Sequence, residues 1–392
     1  MGSVAVQEAK DRGKDALERR LDDLVELSHA IHARPETAFQ EHYAAGRLAE
    51  ILSDNGMRVD SGICDLPTAF SARAGDGPLV VALCAEYDAL PSVGHACGHN
   101  IIAASSVGAA VALGAVADDL GLTVLVLGTP AEEGGGGKVI MLERGAFADA
   151  HMAMMVHPWP TERLTAACLA VSHFDVHYQG KEAHAAASPY EGINAGDAMA
   201  VAQVAIALLR QQFRPGDQVH GIVLEGGQAA NIIPAHVSGR FMCRARSLDE
   251  LEVLEPKVQR CFEAGALATG ATLSYDNLSP TYSHMEADPE LLASYRTNAE
   301  ALGRRFAADD AGEVLPTVST DMANVSLAVP TIHPLIAIEA NGSVNHQPEF
   351  ASACVTPSAD AAVHDGALAL AWTAMDAASL PALRDRLLAR SS

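Results

Sequence analysis

Four short segments of the chain carry residue types that bind metal ions in proteins. In the first, EYDALPSVGHACGHN (86–100), Cys97 and His99 are separated by one residue, so one loop can bring a thiolate and an imidazole to the same site. This pair of ligands favours a borderline-soft ion such as zinc. Taken alone, the pair is more simply explained as a buried free cysteine beside a surface histidine, because cysteine is often a core residue.

The second segment, TPAEEGGGG (129–137), places two adjacent acids, Glu132 and Glu133, at the end of an apolar run. Adjacent side chains point in different directions, so one acid can bind a metal ion while the other faces bound water. The glycines also suggest a phosphate-binding loop. That alternative fails because no Lys-Ser/Thr pair follows at Walker spacing and because two carboxylates repel a phosphate.

Two further histidines follow predicted strands. His157 ends the apolar run in MAMMVHPWP, and His346 lies in a Gly/Asn/Pro-rich loop after a predicted strand at 331–340. Either histidine alone is more often a packed residue than a ligand. Together, the segments supply five ligands and leave Glu132 free to act as a base, which is the set that a zinc hydrolase needs. The five are Cys97, His99, Glu133, His157 and His346.

The elements that position these residues predict an α/β fold. Apolar runs at 78–87 and 122–133 are typical of buried strands, and a helix is predicted across 100–117 between them. Strand, helix and strand in this order form a parallel βαβ unit, whose functional groups gather at the carboxyl ends of the strands. Helical periodicity covers residues 7–56.

A different pattern, βαββαβ, fills the middle of the chain and predicts a small α+β domain. We therefore expect a larger domain formed by 1–170 and 281–392, with a mixed, mostly parallel sheet flanked by helices, and a smaller domain at 171–280 inserted into it.

Arginines alternate with apolar residues along one predicted strand of the smaller domain, at positions 240, 244 and 246. Period-two alternation places all three on one face of the sheet. That face either recognises a carboxylate or is an ordinary solvated surface.

Composition limits the partners of the chain. The 392 residues include 26 Lys and Arg against 49 Asp and Glu, and the resulting net charge of −23 argues against nucleic acid. The longest uncharged run, 101–117, is too short and too weakly hydrophobic to predict a membrane span, and the charged N-terminus does not indicate export. Seven dispersed cysteines without a C-x-x-C motif fit a reducing compartment, so we expect a cytoplasmic protein.

In combination and in order, the motifs resemble the M20 metallopeptidase/amidohydrolase superfamily. Within it, they resemble the amidohydrolase branch, which includes aminoacylases and the peptidase M20 domain-containing protein 2 group. The segment AEYDALPSVGHACGHN is most similar to the last-named group. The resemblance covers nearly the whole chain and rests on HARPETAFQEH, AEYDALPSVGHACGHN, GTPAEEGGGG, GKEAHAAASPYEGINA, NIIPA, STDMANVS and NHQPEF.

The resemblance implies one or two divalent ions on the five ligands above, with zinc favoured and manganese, cobalt or nickel as alternatives. It implies that Glu132 is the general base and that Asp88 orients ligands rather than binding metal. The usual H-x-D metal motif of the superfamily appears here as 86–88, EYD, so its first histidine is absent. This departure leaves open whether the second metal position is filled.

For the inserted domain, the resemblance implies three substrate contacts. His184 matches a histidine that contacts the substrate carbonyl, Asn231 matches the asparagine of NIIPA, and Arg244 is a candidate anchor for a substrate carboxylate. It also implies a homodimer formed through this domain.

The implied activity is hydrolysis of an amide bond in a small N-acyl amino acid or dipeptide-like substrate. Two alternatives remain. In a thiol amidohydrolase Cys97 would be the nucleophile with His99 or His95 as its base, which leaves three of the ligands without a task. In a non-catalytic metal-binding protein on the same scaffold, the presence of Glu132 would be unexplained.

Overall fold

The computed structural model of the chain describes residues 3–306 and 317–389. They divide into two compact units, one formed by Met1–Ala167 with Met285–Ser392 and the other by Cys168–His284. The helices are α1 Ser3–Glu18, α2 Leu21–His32, α3 His42–Asp54, α4 His99–Gly114, α5 Ala117–Leu120, α6 Gly137–Glu143, α7 Ala195–Leu209, α8 Leu248–Thr269, α9 Pro289–Ala301, α10 Met322–Ala328, α11 Pro348–Ala353, α12 Pro357–Ser379 and α13 Pro381–Leu388. The strands are β1 Arg58–Ser61, β2 Phe70–Ala74, β3 Leu79–Glu86, β4 Leu122–Thr129, β5 Met152–Met154, β6 His157–Trp159, β7 Ala167–Cys168, β8 Ala170–Gln179, β9 Gln218–Glu225, β10 His236–Ala245, β11 Thr272–Asn277, β12 Thr317–Val318, β13 Thr331–Ile332 and β14 Leu335–Ala337.

The larger unit is built on a six-stranded sheet in the order β1, β2, β4, β3, β5, β13. Strand β3 pairs in parallel with β4 and β5, and β5 with β13, whereas β1, β2 and β4 pair antiparallel. All eight residues of β3 and of β4 are buried, as expected for apolar strands covered on both faces. The prediction of a mixed, mostly parallel sheet is confirmed.

Helix α4 connects β3 to β4 and is buried along almost its whole length. Its small side chains allow close packing, because Gly108 leaves no room for a Cβ beside Ala367 of α12 and Leu24 of α2. Tight contacts with two other helices therefore fix the position of α4.

The predicted strand at 331–340 is wrong as a single element. The structure has two short strands, β13 and β14, which pair with β5 and β6 respectively. Pro334 lies between them and has no backbone N–H to donate to a ladder, so the chain changes partner at this point.

The smaller unit is a four-stranded antiparallel sheet in the order β11, β8, β10, β9. Helices α7 and α8 pack on one face of it, around a cluster that includes Phe174, Phe241 and Phe262. The chain order, strand, helix, two strands, helix, strand, is the α+β order predicted for this part of the sequence.

Among the described residues, no single helix combines the length and apolarity that crossing a membrane requires. The helices Pro357–Ser379 and Pro381–Leu388 have the required length and apolarity only when they are taken together, and a 90° bend separates them.

Candidate metal centre

The five predicted ligands lie together in the larger unit. Cys97 precedes α4 and His99 is its first residue, while Glu133 follows β4 and His157 begins β6. His346 lies in the loop before α11, and its backbone N–H donates to the carbonyl of Ala96 at 2.9 Å, which holds the loop beside Cys97. The ends of several strands thus converge, as expected for an open α/β sheet.

The ligand atoms form two groups that share one residue. Cys97, His99 and His157 are one group, and Cys97, Glu133 and His346 are the other, with the ligand atoms of each within 4.8 Å of one another. A thiolate that belongs to both groups can bridge two ions. The arrangement therefore suits a dinuclear centre with mixed sulfur, nitrogen and oxygen ligands.

The distances from the Glu133 carboxylate to two of the histidines show that the space between the ligands fits a cation. Its two oxygens lie 3.8 Å from His99 Nε2 and 3.7 Å from His346 Nε2, too far for hydrogen bonds. Ligand distances of about 2.1 Å on each side of an ion sum to about 4.2 Å, so a metal ion can span such gaps. Within the described part of the chain, the buried Glu133 Oε1 has no hydrogen-bond partner, which also fits a metal ligand.

Asp88 contacts two of the predicted ligands, His99 and Glu133. Its Oδ1 lies 3.1 Å from His99 Nδ1, and its Oδ2 accepts a hydrogen bond from the backbone N–H of Glu133 at 3.0 Å. A carboxylate on the far nitrogen of a histidine fixes the tautomer and ring orientation, so that Nε2 is left for a metal. This geometry supports the predicted orienting role of Asp88.

Burial, and then nearby charges, shift several pKa values at the site. Burial, then Glu86 and Glu133, raise the pKa of Glu132 well above its ordinary value. Burial, then His99, lower the pKa of His157 to about 4, so this ring is neutral, as a metal ligand must be. Burial raises the pKa of Cys97 well above its ordinary value, and ionisation of this thiol therefore needs a cation beside it.

Two buried charges beside the ligands were not predicted from the sequence. Glu86, the last residue of β3, places Oε1 3.1 Å from His99 Nε2. The ammonium of Lys138, in α6, contacts the other oxygen of Glu86 and lies 2.7 Å from Oδ1 of Asp321. Glu86 occupies the position of the histidine in the H-x-D motif, which was the available signal, whereas nothing local marks Lys138 as buried.

A third missed residue is His333, between β13 and β14. It is buried, and its ring centroid lies 5.5 Å from that of His157. Burial, then His157, lower the pKa of His333 to about 3, so it adds no positive charge to the site.

His184 and Asn231 lie side by side in the smaller unit. His184 forms a bridge with Ile232, and the N–H of Ala185 donates to the carbonyl of Asn231 at 3.0 Å. Nδ1 of His184 accepts hydrogen bonds from two backbone N–H groups, at 3.2 and 3.1 Å. The neutral ring therefore carries its proton on Nε2, and this exposed side chain offers a donor.

The basic face predicted for the smaller unit is partly neutralised. Arg240 forms a bidentate pair with Asp175, at 2.8 and 2.9 Å. Arg244 is half-buried in β10, whereas Arg246 is exposed beyond the end of that strand. Of the three, Arg244 is the one that the resemblance implies as an anchor for a substrate carboxylate.

Gly98 between Cys97 and His99 allows a direct test of how the backbone positions these ligands. Its φ is +74°, and an added Cβ would lie 2.4 Å from Cγ of Pro158. We expect Gly98→Ala to destabilise the fold by at least about 1 kcal/mol and to lower metal content, because the left-handed conformation costs alanine about this much before any clash. Thermal unfolding and metal analysis measure both effects.

The matched control is Gly46→Ala, at an exposed position of α3 where an added Cβ meets nothing within 4 Å. Alanine there should stabilise the helix by up to about 1 kcal/mol. A Gly98→Ala protein with the stability and metal content of the wild type would show that this backbone conformation does not position the ligands.

Known proteins place the chain in a family. The model of peptidase family M20/M25/M40 matches residues 82–364. The Xaa-Arg dipeptidase of Mus musculus is 39% identical over 388 residues, which cover 95% of this chain and 90% of that protein. One of the p-aminobenzoyl-glutamate hydrolase polypeptides of Escherichia coli (strain K12) is 30% identical over 291 residues, 68% of this chain and 60% of that protein.

Solved structures show the same fold. An aminobenzoyl-glutamate utilization protein from Klebsiella pneumoniae has a TM-score of 0.70 at 18% identity, covering 91% of this chain and 97% of that chain. A Bacillus subtilis protein described as a dinuclear metal-binding peptidase from the M20 family has a TM-score of 0.65 at 20% identity, and the match covers 90% of this chain and 98% of that chain. From the family match and these relatives, the chain belongs to peptidase family M20/M25/M40, as a metallopeptidase of amidohydrolase type that hydrolyses amide bonds in small substrates.

Proposed function

We propose that the chain binds two divalent ions through the five ligands and uses them to hydrolyse the amide bond of a dipeptide or an N-acyl amino acid. The observation that carries this proposal is the pair of ligand groups joined at Cys97. Zinc is the favoured metal because a thiolate and imidazoles are its usual ligands, and manganese, cobalt and nickel are the alternatives.

Glu132 is the general base in this proposal. When bound, the ions supply Lewis acidity, which activates water and polarises the amide carbonyl. Glu132 takes the proton of the attacking water and passes it to the leaving amine. A group in this role must accept the proton and then release it.

His184 and Asn231 stabilise the negative charge that develops on the carbonyl oxygen. The proton on His184 Nε2 follows from the two backbone N–H groups at Nδ1. A well-placed donor of this kind contributes about 3 kcal/mol to the transition state. Arg244 binds the substrate carboxylate.

Dipeptides that end in arginine are the first substrates to test. The mouse and human relatives, both called Xaa-Arg dipeptidase, match 95% and 97% of this chain. N-acyl amino acids are the second class, since N-acetyl-L-cysteine deacetylase of Bacillus subtilis (strain 168) is 28% identical over 54% of the chain.

The cytoplasm is the proposed location, because all seven cysteines are free.

Chelation distinguishes metal-dependent hydrolysis from the thiol alternative. Dialysis against EDTA should abolish amine release from a panel of Xaa-Arg dipeptides and N-acyl amino acids. Adding back Zn²⁺, Mn²⁺, Co²⁺ or Ni²⁺ should restore it and identify the most active metal. Full activity in a metal-free protein would contradict the proposal and support Cys97 as the nucleophile.

A homodimer through the smaller unit is also part of the proposal. Within the described part of the chain, β9 has a strand neighbour only on its β10 side. Ile222, Val223 and Leu224 of β9 are 61, 44 and 48% exposed, and α7 exposes Val204 and Leu208. A second copy can pair with this apolar edge about a two-fold axis, because an antiparallel edge strand is complementary to itself.

Charges on this surface should prevent dimer formation. We expect the wild type to sediment as a dimer and Val204→Glu/Leu208→Glu to sediment as a monomer, since each glutamate would be buried without a partner. The control is Leu267→Glu on α8, where the leucine is 88% exposed. A monomeric wild type, or a double variant that still dimerises, would rule out this interface.

A further inference from the structure

A third group of potential metal ligands lies beside the two that share Cys97. It consists of Glu86, His99 and Glu132, whose ligand atoms are also within 4.8 Å of one another. All three residues are buried. By donor type alone, this group also suits a divalent ion.

The third group competes with the proposed centre for one histidine. Nδ1 of His99 is 3.1 Å from Asp88, so only Nε2 is left to bind a metal. A metal ion bound by Glu86 and Glu132 would take His99 away from Cys97 and His157. It would also make a metal ligand of Glu132, which then could not accept a proton.

Lys138 already supplies a positive charge at this place. Its side chain is 0% exposed, and its ammonium contacts Glu86 on one side and Asp321 on the other, the latter at 2.7 Å. The backbone N–H of Lys138 also donates to Asp321, at 2.8 Å. The ammonium is thus held between two carboxylates, and the side chain cannot turn into solvent.

We propose that Lys138 is a positioning residue. It is a fixed internal cation that pairs with Glu86 and thereby keeps metal ions out of the group formed by Glu86, His99 and Glu132. Lys138 leaves His99 to the group that contains Cys97 and leaves Glu132 as a base. This inference rests on the proposed function, because it takes the two groups that share Cys97 as the productive centre.

Cobalt binding tests the role of Lys138, because a thiolate bound to Co²⁺ gives a charge-transfer absorbance that carboxylates and imidazoles do not give. The variant Lys138→Met/Asp321→Asn removes the ammonium and one of its partners, so that Glu86 loses its lysine partner and keeps only the contact of Oε1 with His99 Nε2. Its absorbance per bound cobalt should fall to about half of the wild-type value, because one of two ions loses its soft ligand. Its kcat with Co²⁺ should fall about 100-fold or more, because Glu132 no longer acts as a base.

The matched control adds Glu86→Gln to the double variant, which removes the third group. Absorbance per bound cobalt should return to the wild-type value. If the absorbance per bound cobalt is the same in the double variant, the triple variant and the wild type, the role of Lys138 is overturned but the proposed function is not. A wild type that binds Co²⁺ without thiolate absorbance would instead overturn the proposed function.

A measurement on the unmodified protein does not depend on the folding of the variants. Anomalous diffraction from wild-type crystals soaked in excess Co²⁺ should show no peak within bonding distance of both Glu86 and Glu132. A peak there, with Lys138 in place, would overturn the inference.

Discussion

Glu132→Gln should lower kcat by about 10²- to 10⁴-fold, the usual contribution of a general acid or base. Glutamine has nearly the same shape but cannot accept the proton of the attacking water at neutral pH. Neither group that shares Cys97 includes Glu132, so both ions should remain bound. Steady-state kinetics and metal analysis of the same preparation measure the two effects separately.

Glu26→Gln, which changes an exposed acid of α2, is the matched control and should leave kcat and metal content unchanged. The role of Glu132 is ruled out if its glutamine variant keeps wild-type turnover with a full metal complement. If the variant loses both turnover and metal, Glu132 is a ligand, and the assignment of Glu133 as the ligand is wrong.

Cys97→Ala should have the largest effect on metal binding. Cys97 belongs to both ligand groups, so its loss leaves each with two donors. Replacing groups that only orient a ligand already costs about 10- to 100-fold in affinity, and we expect a larger loss at both sites here. Metal analysis should find both ions lost and activity with them.

His346→Ala separates a shared ligand from an unshared one, because His346 belongs to one group only. It should weaken the binding of one ion and leave the other in place. Cys243→Ala, a buried cysteine in the smaller unit, is the control for removing a thiol. Two ions retained by Cys97→Ala would contradict the shared centre.

The elements that carry the site could be predicted from the sequence because their signals are local. Strands β3 and β4 are continuous apolar runs, and α4 is an uncharged run of small residues between them. A polar residue just after such a strand must lie at the carboxyl edge of the sheet. Cys97, His99 and Glu133 could therefore be expected near one another before any coordinates.

Lys138 shows what local signals do not contain. Its burial depends on Glu86 and Asp321, which are 52 and 183 residues away along the chain. A lysine after four glycines gives no sign of these partners, and a lysine is almost never fully buried unless it is paired. Local signals do not mark His184 and Asn231 either, because their pairing depends on a bridge between distant loops. These two residues are identified by resemblance alone.

Anomalous diffraction at the absorption edge of the bound metal, from crystals of the purified wild type, tests the shared centre most directly. We expect two peaks, both within bonding distance of Cys97 Sγ, one near His99 and His157 and the other near Glu133 and His346. Peaks that do not involve Cys97, or a single ion bound by Glu86 and Glu132, would contradict it.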